Sequence, residues 1–327
     1  MSPKSILLLV LHLFLTRLSN CASLPPHHPQ PDSYPALMAP ETKYLNVSVD
    51  GLSLFYRTAG QETYPTILLL HGFPSSSHQF RNLIPLLADK YHVVAPDFPG
   101  FGFTEVPDSR NYVYTFDNIA KTISLFLDAL SINSFSVYIF DYGAPTGLRL
   151  ALERPSQVKA IISQNGNAYD EGLGAFWDPI RKYWASGAQA DREALIPALL
   201  GFAPTKWQYE YGSPDTTVIA PETYNLDYTL MSRPGNNDIQ LDLFKDYANN
   251  LPLYPKFQEY FRNTQVPLLA VWGKNDLIFV PPGAEAFKRD LPQSEIHLVD
   301  AGHFTVETHT VTIATLMREF LAKNGVV

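Results

Sequence analysis

Three observations predict an α/β fold, a mostly parallel doubly wound sheet with a helical insertion. Continuous apolar runs, among them Thr66 to Leu70, His92 to Asp97, Phe135 to Phe140, Val158 to Ser163 and Pro267 to Trp272, read as strands buried on both faces. Segments with helical spacing separate most of these runs, which calls for crossover connections and therefore parallel pairing. The alternation stops at Gln164 and resumes only near residue 255, as it would around an insertion.

In chain order, Lys4 precedes an apolar run from Ile6 to Leu15, followed by small residues at Cys21, Ala22 and Ser23. This pattern makes residues 1–23 a cleaved secretory signal in expectation. The run falls short of the roughly 20 apolar residues that span a bilayer; an uncleaved anchor and a buried helix are the alternatives. A secretory-pathway or secreted protein follows, with no stable membrane span after cleavage. In that setting Asn46-Val47-Ser48 is a glycosylation sequon with Asn46 as acceptor.

Residues 24–43 are a proline-rich lead-in, whose His27 and His28 read as solvated tail rather than metal ligands. Alternation from Tyr44 to Tyr56, turning at Asp50-Gly51, predicts a hairpin. A helix is expected over Phe80 to Ala88 and an amphipathic one over Phe116 to Leu130. The core is expected to occupy 44–164 and 255–327, and a helical cap 165–254, with short helices at Asp178–Trp184, Asp191–Leu200 and Ile239–Asn249. After the cap come the strand at Pro267, a helix at Pro282–Leu291, a strand at Ile296–Val299 and a closing helix at Val311–Leu321.

A formal net charge of −8, with no Lys/Arg cluster, argues against a nucleic-acid partner. One cysteine, Cys21, excludes an intramolecular disulfide and a Cys–His nucleophile pair. No His or acidic set has metal-ligand spacing, and the Gly100-Phe101-Gly102 turn lacks the third glycine and helix start of a phosphate loop. No metal and no cofactor are therefore expected, and nothing in the sequence speaks to oligomeric state.

The most informative stretch is Phe135 to Leu152. An apolar strand ends in Asp141, and a turn leads at once into a helix carrying Gly143 and Gly147. A carboxylate there is costly to bury unless its charge is used; its bland reading is an N-cap. In a parallel sheet the C-terminal strand ends share one edge, where ligands bind. His71-Gly72-Phe73-Pro74, Gly273-Lys274-Asn275-Asp276 and Ala301-Gly302-His303 fall on that edge too. Asp276 read alone is a turn residue, and His303 a satisfied surface histidine.

Asp141, Asp276 and His303 follow the order nucleophile, acid, histidine. Together with Asp97-Phe-Pro-Gly-Phe-Gly102 and Trp272-Gly-Lys-Asn-Asp276, they make the chain from about Tyr44 to Leu321 resemble the α/β-hydrolase superfamily. The similarity is to the branch with an aspartate nucleophile, which contains epoxide hydrolases and haloalkane dehalogenases. Ile139 departs from the usual elbow, where a small residue is common. The resemblance implies that Asp141 attacks carbon and that His303, oriented by Asp276, activates water. It also implies that the backbone N–H groups of Phe73 and Tyr142 hold the oxyanion.

Aspartate in place of serine points to an alkyl electrophile, because a carboxylate leaves an ester that water can cleave, whereas a serine would leave an ether. The dehalogenases usually place Trp after the nucleophile and often Asn after His-Gly; here those positions are Tyr142 and Phe73. Epoxide hydrolases protonate the ring oxygen from two cap tyrosines, for which Tyr183 and Tyr247 are the candidates by resemblance of their segments. Trp177, Trp184, Tyr224 and Tyr228 are the expected walls of an apolar substrate pocket. The reading is an epoxide hydrolase acting on an apolar small molecule, in detoxification or in tailoring a polyketide or terpenoid of secondary metabolism. In the tailoring case a hydroxyl within the substrate is an alternative to water as final nucleophile. A dehalogenase-like hydrolase and a non-catalytic binding protein on the same scaffold are the alternatives.

Overall fold

The computed structural model describes residues 40–326. The signal, Cys21, His27, His28 and most of the lead-in lie outside the described residues. Eight strands form one sheet in the order β1-β2-β4-β3-β5-β6-β7-β8. The hairpin pairs β1 (Lys43–Val49) with β2 (Leu52–Ala59) through Asp50 and Gly51, both at positive φ, as a two-residue hairpin turn requires. From β4 (His92–Pro96) and β3 (Thr66–Leu70) through β5 (Phe135–Phe140), β6 (Val158–Gln164), β7 (Leu268–Gly273) and β8 (Glu295–Val299), every neighbouring pair is parallel.

Apolar side chains alternate between the two faces. Leu68, Leu70, Val137 and Ile139 pack into one cluster, with α1 (Phe116–Ala129) and α2 (Gly143–Glu153). Ile67, Leu69, Tyr138 and Phe140 pack into the other. Both faces being covered explains why the strands read as unbroken apolar runs. Thr115 caps α1, its hydroxyl accepting from the Asn118 N–H.

The helix expected over Phe80–Ala88 is not formed. Two 3₁₀ turns, Ser77–Phe80 and Ile84–Leu86, occupy the region, because Pro85 has no N–H for the Arg81 carbonyl and so interrupts an α ladder. Between β6 and β7 lie α3 (Asp178–Ser186), α4 (Gln189–Leu199), α5 (Phe202–Glu210), α6 (Pro221–Met231), α7 (Asn236–Asp246), a 3₁₀ stretch (Tyr247–Leu253) and α8 (Tyr254–Thr264). The chain then continues through β7, α9 (Pro282–Glu285), α10 (Phe287–Asp290), β8, α11 (Thr305–Thr308) and α12 (Thr310–Lys323). The single helix expected at Pro282–Leu291 is therefore two short ones, parted at Ala286. Asn46 is exposed on β1, an edge strand.

Candidate active site

Asp141 follows β5 directly and takes φ +47°, the left-handed conformation of a sharp strand-to-helix turn. Few non-glycine residues adopt it, and Asp is among the tolerant ones. Gly143 lies hard against the Leu70 carbonyl, so the helix starts close beneath the sheet edge. A Cβ at Gly147 would press on Ile139 Cγ2, so glycine on the helix makes room for the branched side chain at the unusual elbow position.

The turn leaves the Asp141 carboxylate 4% exposed with its two oxygens in different surroundings. Oδ1 accepts the Phe73 N–H at 2.6 Å. Oδ2 faces His303 Nε2 at 3.8 Å. His303 Nδ1 donates to Asp276 Oδ2 at 2.8 Å, and Nε2 has no hydrogen-bond partner among the described residues. Asp276 is fixed in turn by the Ile278 N–H on Oδ1 (2.7 Å) and by Asn165 Nδ2 on Oδ2 (2.6 Å). The loop ends after β3, β5, β6, β7 and β8 thus converge on one edge.

The chemistry this allows is specific. One carboxylate oxygen is held by the Phe73 N–H, and the other is turned toward an imidazole whose far nitrogen is tied to a second carboxylate. A family model described as the alpha/beta hydrolase fold matches residues 65–310. The chain belongs to this family. It is 50% identical over 279 residues to an uncharacterized hydrolase of Saccharomyces cerevisiae, covering 84% of this chain and 95% of that protein. Among solved structures, the haloalkane dehalogenase DbeA of Bradyrhizobium elkani superposes with TM-score 0.70 at 22% identity over 87% of this chain and 99% of that one. An epoxide hydrolase from Vigna radiata does so with TM-score 0.68 at 22% identity over 86% and 99%. At such identity the two structures speak for the fold alone.

Within this α/β hydrolase, electrostatics differ sharply between the two residues facing each other. Burial pushes the Asp141 carboxyl up to about 6, against the pull of His303 and of the Phe73 and Tyr142 N–H groups. Burial works to lower His303 as well, but the Asp276 charge and hydrogen bond and the Asp141 charge outweigh it, so the imidazole sits above its ordinary value. His71 is different: burial lowers it to about 3. Its Nε2 accepts the Phe98 N–H at 2.9 Å, so Nδ1 carries the proton and donates to the Gly72 carbonyl at 3.1 Å. A neutral, doubly bonded His71 shapes the loop that presents Phe73.

The other expected residues divide. Tyr247 is buried beside the nucleophile turn, its ring 5.9 Å from Tyr142, 4.4 Å from Trp177 and 6.4 Å from Phe279, which lies 6.0 Å from His303. Trp184 stacks parallel to Tyr247 at 6.3 Å. Trp177 and Trp184 therefore pack on Tyr247 beside the nucleophile turn. Both indole N–H groups are taken, by the Ile278 and Phe244 carbonyls, each at 2.7 Å.

The Tyr183 hydroxyl lies in a different setting. It accepts from Arg192 Nη1 at 3.2 Å, and Arg192 is itself anchored by Asp238 and Asp242 on α7, so the phenol is turned into the cap. Tyr224 and Tyr228 lie elsewhere in the cap. They sit half-buried around Phe202, at 6.0 and 5.4 Å, where α6 packs on α5, and form no part of the aromatic wall next to Asp141.

Several contributors carry no motif. Asn165, at φ +49° after β6, donates to Asp276 while its Oδ1 accepts from Gln164, Gly273 and Thr305. Gln164 also donates to the His303 carbonyl at 2.9 Å, fixing the histidine loop. An amide at a strand end beside a carboxylate-bearing strand was the available signal, but Asn165-Gly166-Asn167 reads equally well as a turn.

Proposed function

We propose that the chain is an epoxide hydrolase working through a covalent ester on Asp141. The observation that carries the reading is the split environment of that carboxylate, one oxygen on the Phe73 N–H and the other toward His303. Asp141 Oδ2 attacks a ring carbon, and the breaking C–O bond delivers its electron pair to the ring oxygen, which takes a proton from the Tyr247 hydroxyl. His303 then removes a proton from water, and the hydroxide adds to the Asp141 carbonyl carbon while the Phe73 and Tyr142 N–H groups hold the oxyanion. Collapse of this intermediate expels the diol oxygen, which is protonated by His303. The proton left on Asp141 returns to the Tyr247 phenolate, so one epoxide and one water give one diol.

Forming the ester also changes the histidine. With Asp141 neutral, one of the charges that raises His303 is gone, and the imidazole becomes a readier base in the step that needs one.

A leaving halide needs N–H donors aimed at it. The Trp177 and Trp184 indoles packed around Tyr247 donate to carbonyls instead, which favours the epoxide over the haloalkane. The aromatic wall of Trp177, Trp184 and Tyr247 suits an apolar substrate, in detoxification or in tailoring of a polyketide or terpenoid. Secretion and a glycan on Asn46 belong to the same proposal.

Incubation with an aryl or alkenyl epoxide and with a bromoalkane, following diol and bromide separately, is expected to yield diol. Bromide without diol overturns the assignment. The pH profile adds a second check. Asp141 must be ionised to attack and its carboxyl lies near 6, so kcat/KM falls about tenfold per unit as pH drops below about 6. A flat profile down to pH 4.5 is incompatible with the buried nucleophile described.

A further inference from the structure

Behind Tyr247, on the side of the α8 start, lies a chain of polar groups whose direction can be deduced. The Asn167 side chain is oriented by one residue's backbone: Oδ1 accepts the Tyr169 N–H at 3.2 Å and Nδ2 donates to the Tyr169 carbonyl at 2.7 Å. Flipping the amide would set donor against donor and acceptor against acceptor. Gly172 packs against Asn167 Oδ1 so closely that a Cβ there would collide with it. The second Nδ2 proton is thus aimed at the Tyr254 hydroxyl, 3.3 Å away. An amide nitrogen can only donate, so Tyr254 Oη accepts.

Tyr254 is buried, and its hydroxyl has one other partner among the described residues, Tyr247 Oη at 3.4 Å. Whichever phenol donates across this contact, the other proton has no partner among the described residues: that of Tyr254 if Tyr247 donates, that of Tyr247 if Tyr254 donates. Once the ring oxygen of a bound epoxide accepts the Tyr247 proton, the direction Asn167 to Tyr254 to Tyr247 pairs both phenol protons, and the reverse direction does not. The former direction leaves the Tyr247 proton unused by any described residue and directs a donor at the oxygen that carries it.

We propose that Tyr254, anchored by Asn167, is a positioning residue that fixes the Tyr247 hydroxyl with its proton available to the ring oxygen of an epoxide on Asp141. The proposal rests on the epoxide hydrolase reading. As the proton leaves, negative charge grows on Tyr247 Oη, and the Tyr254 O–H bond to it strengthens, since a bond to an ionised acceptor is roughly twice as strong as a neutral one. The contribution therefore falls on the transition state more than on substrate binding. Tyr254 touches neither the substrate nor Asp141 and acts through Tyr247 alone.

The test is a double-mutant cycle in a His303→Gln background, where the rate of ester formation on Asp141 is followed by intact-protein mass at saturating epoxide. Tyr247→Phe is expected to slow ester formation by about 10²-fold, as loss of a general acid does. Tyr254→Phe is expected to slow it about tenfold, the scale of one hydrogen bond, with the half-saturating epoxide concentration changed less than twofold. Because Tyr254 acts only through Tyr247, adding Tyr254→Phe to Tyr247→Phe is expected to cost nothing further. An unchanged rate in Tyr254→Phe overturns the proposal, and so does an equal loss from Tyr254→Phe in both backgrounds, which marks a merely structural residue. No ester with any epoxide when both tyrosines are intact overturns the epoxide reading itself, a result separate from either of these.

Discussion

Replacing His303 by Gln is expected to halt the reaction halfway, with turnover lowered about 10³-fold while a mass increase equal to one epoxide appears on the protein and maps to Asp141. The reasoning follows the two faces of the carboxylate. Attack on the ring carbon uses Asp141 Oδ2, whose partner oxygen is held by the Phe73 N–H whatever stands at 303. Hydrolysis of the ester needs a base, and His303 Nε2 is the basic atom facing Asp141 Oδ2. Glutamine can still accept hydrogen bonds from the loop but cannot take a proton from water. Removing His303 also removes a cation that lowers the Asp141 carboxyl, so the acid limb of ester formation moves up in pH. Wild-type turnover of an epoxide with no mass change in the His303→Gln protein would show that water attacks the substrate directly, and the covalent scheme would fall.

Much of this site is legible in the sequence because its parts end strands. Asp141, Asp276 and His303 each follow an apolar run or a short strand pattern closely. Parallel strands bring their C-terminal ends to one edge whatever the details of the helices. Phe73 and Tyr142 come with them, since a backbone N–H is positioned by the turn and not by the side chain.

The cap is another matter. Tyr183 and Tyr247 both lie at helical segments of the cap, yet one phenol meets Arg192 and the other meets Tyr254, with its ring beside Tyr142. Which way each points depends on how α3 and α7 pack, and that information lies in contacts such as Arg192 with Asp238 and Asp242, far apart in the chain. The helices α5 and α6 escaped notice because aromatic and polar residues are spread around them without a clean apolar face. Asn165 and Asn167 were hidden for a third reason: turn-forming residues look the same whether or not their amides orient a carboxylate or a phenol.

A methyl group at Gly72 is expected to disable the site without unfolding the chain. Gly72 does not occupy the left-handed region, so alanine there brings no backbone penalty. The added carbon would, however, overlap Asp141 Oδ1 and crowd the Tyr142 nitrogen, the atoms that make the oxyanion site. Neither side can yield easily. Asp141 is pinned by its turn, and the Gly72 loop is tied down by the His71 bonds to Phe98 and Gly72 and by the Ser75 N–H on the Gly72 carbonyl at 2.9 Å. The cheapest relief is rotation of the carboxylate away from the Phe73 N–H. That loses a donor worth about 10²- to 10³-fold in rate and turns Oδ2 from its line of attack at the same time. Gly72→Ala should therefore lower kcat by at least about 10³-fold, and ester formation in the His303→Gln background should slow in parallel, because one contact serves both halves of the reaction. Far-UV circular dichroism is expected to match wild type. Wild-type kinetics in a folded Gly72→Ala protein would mean that catalysis does not use the Phe73 N–H to Asp141 contact, and the assignment of the oxyanion site would have to be abandoned.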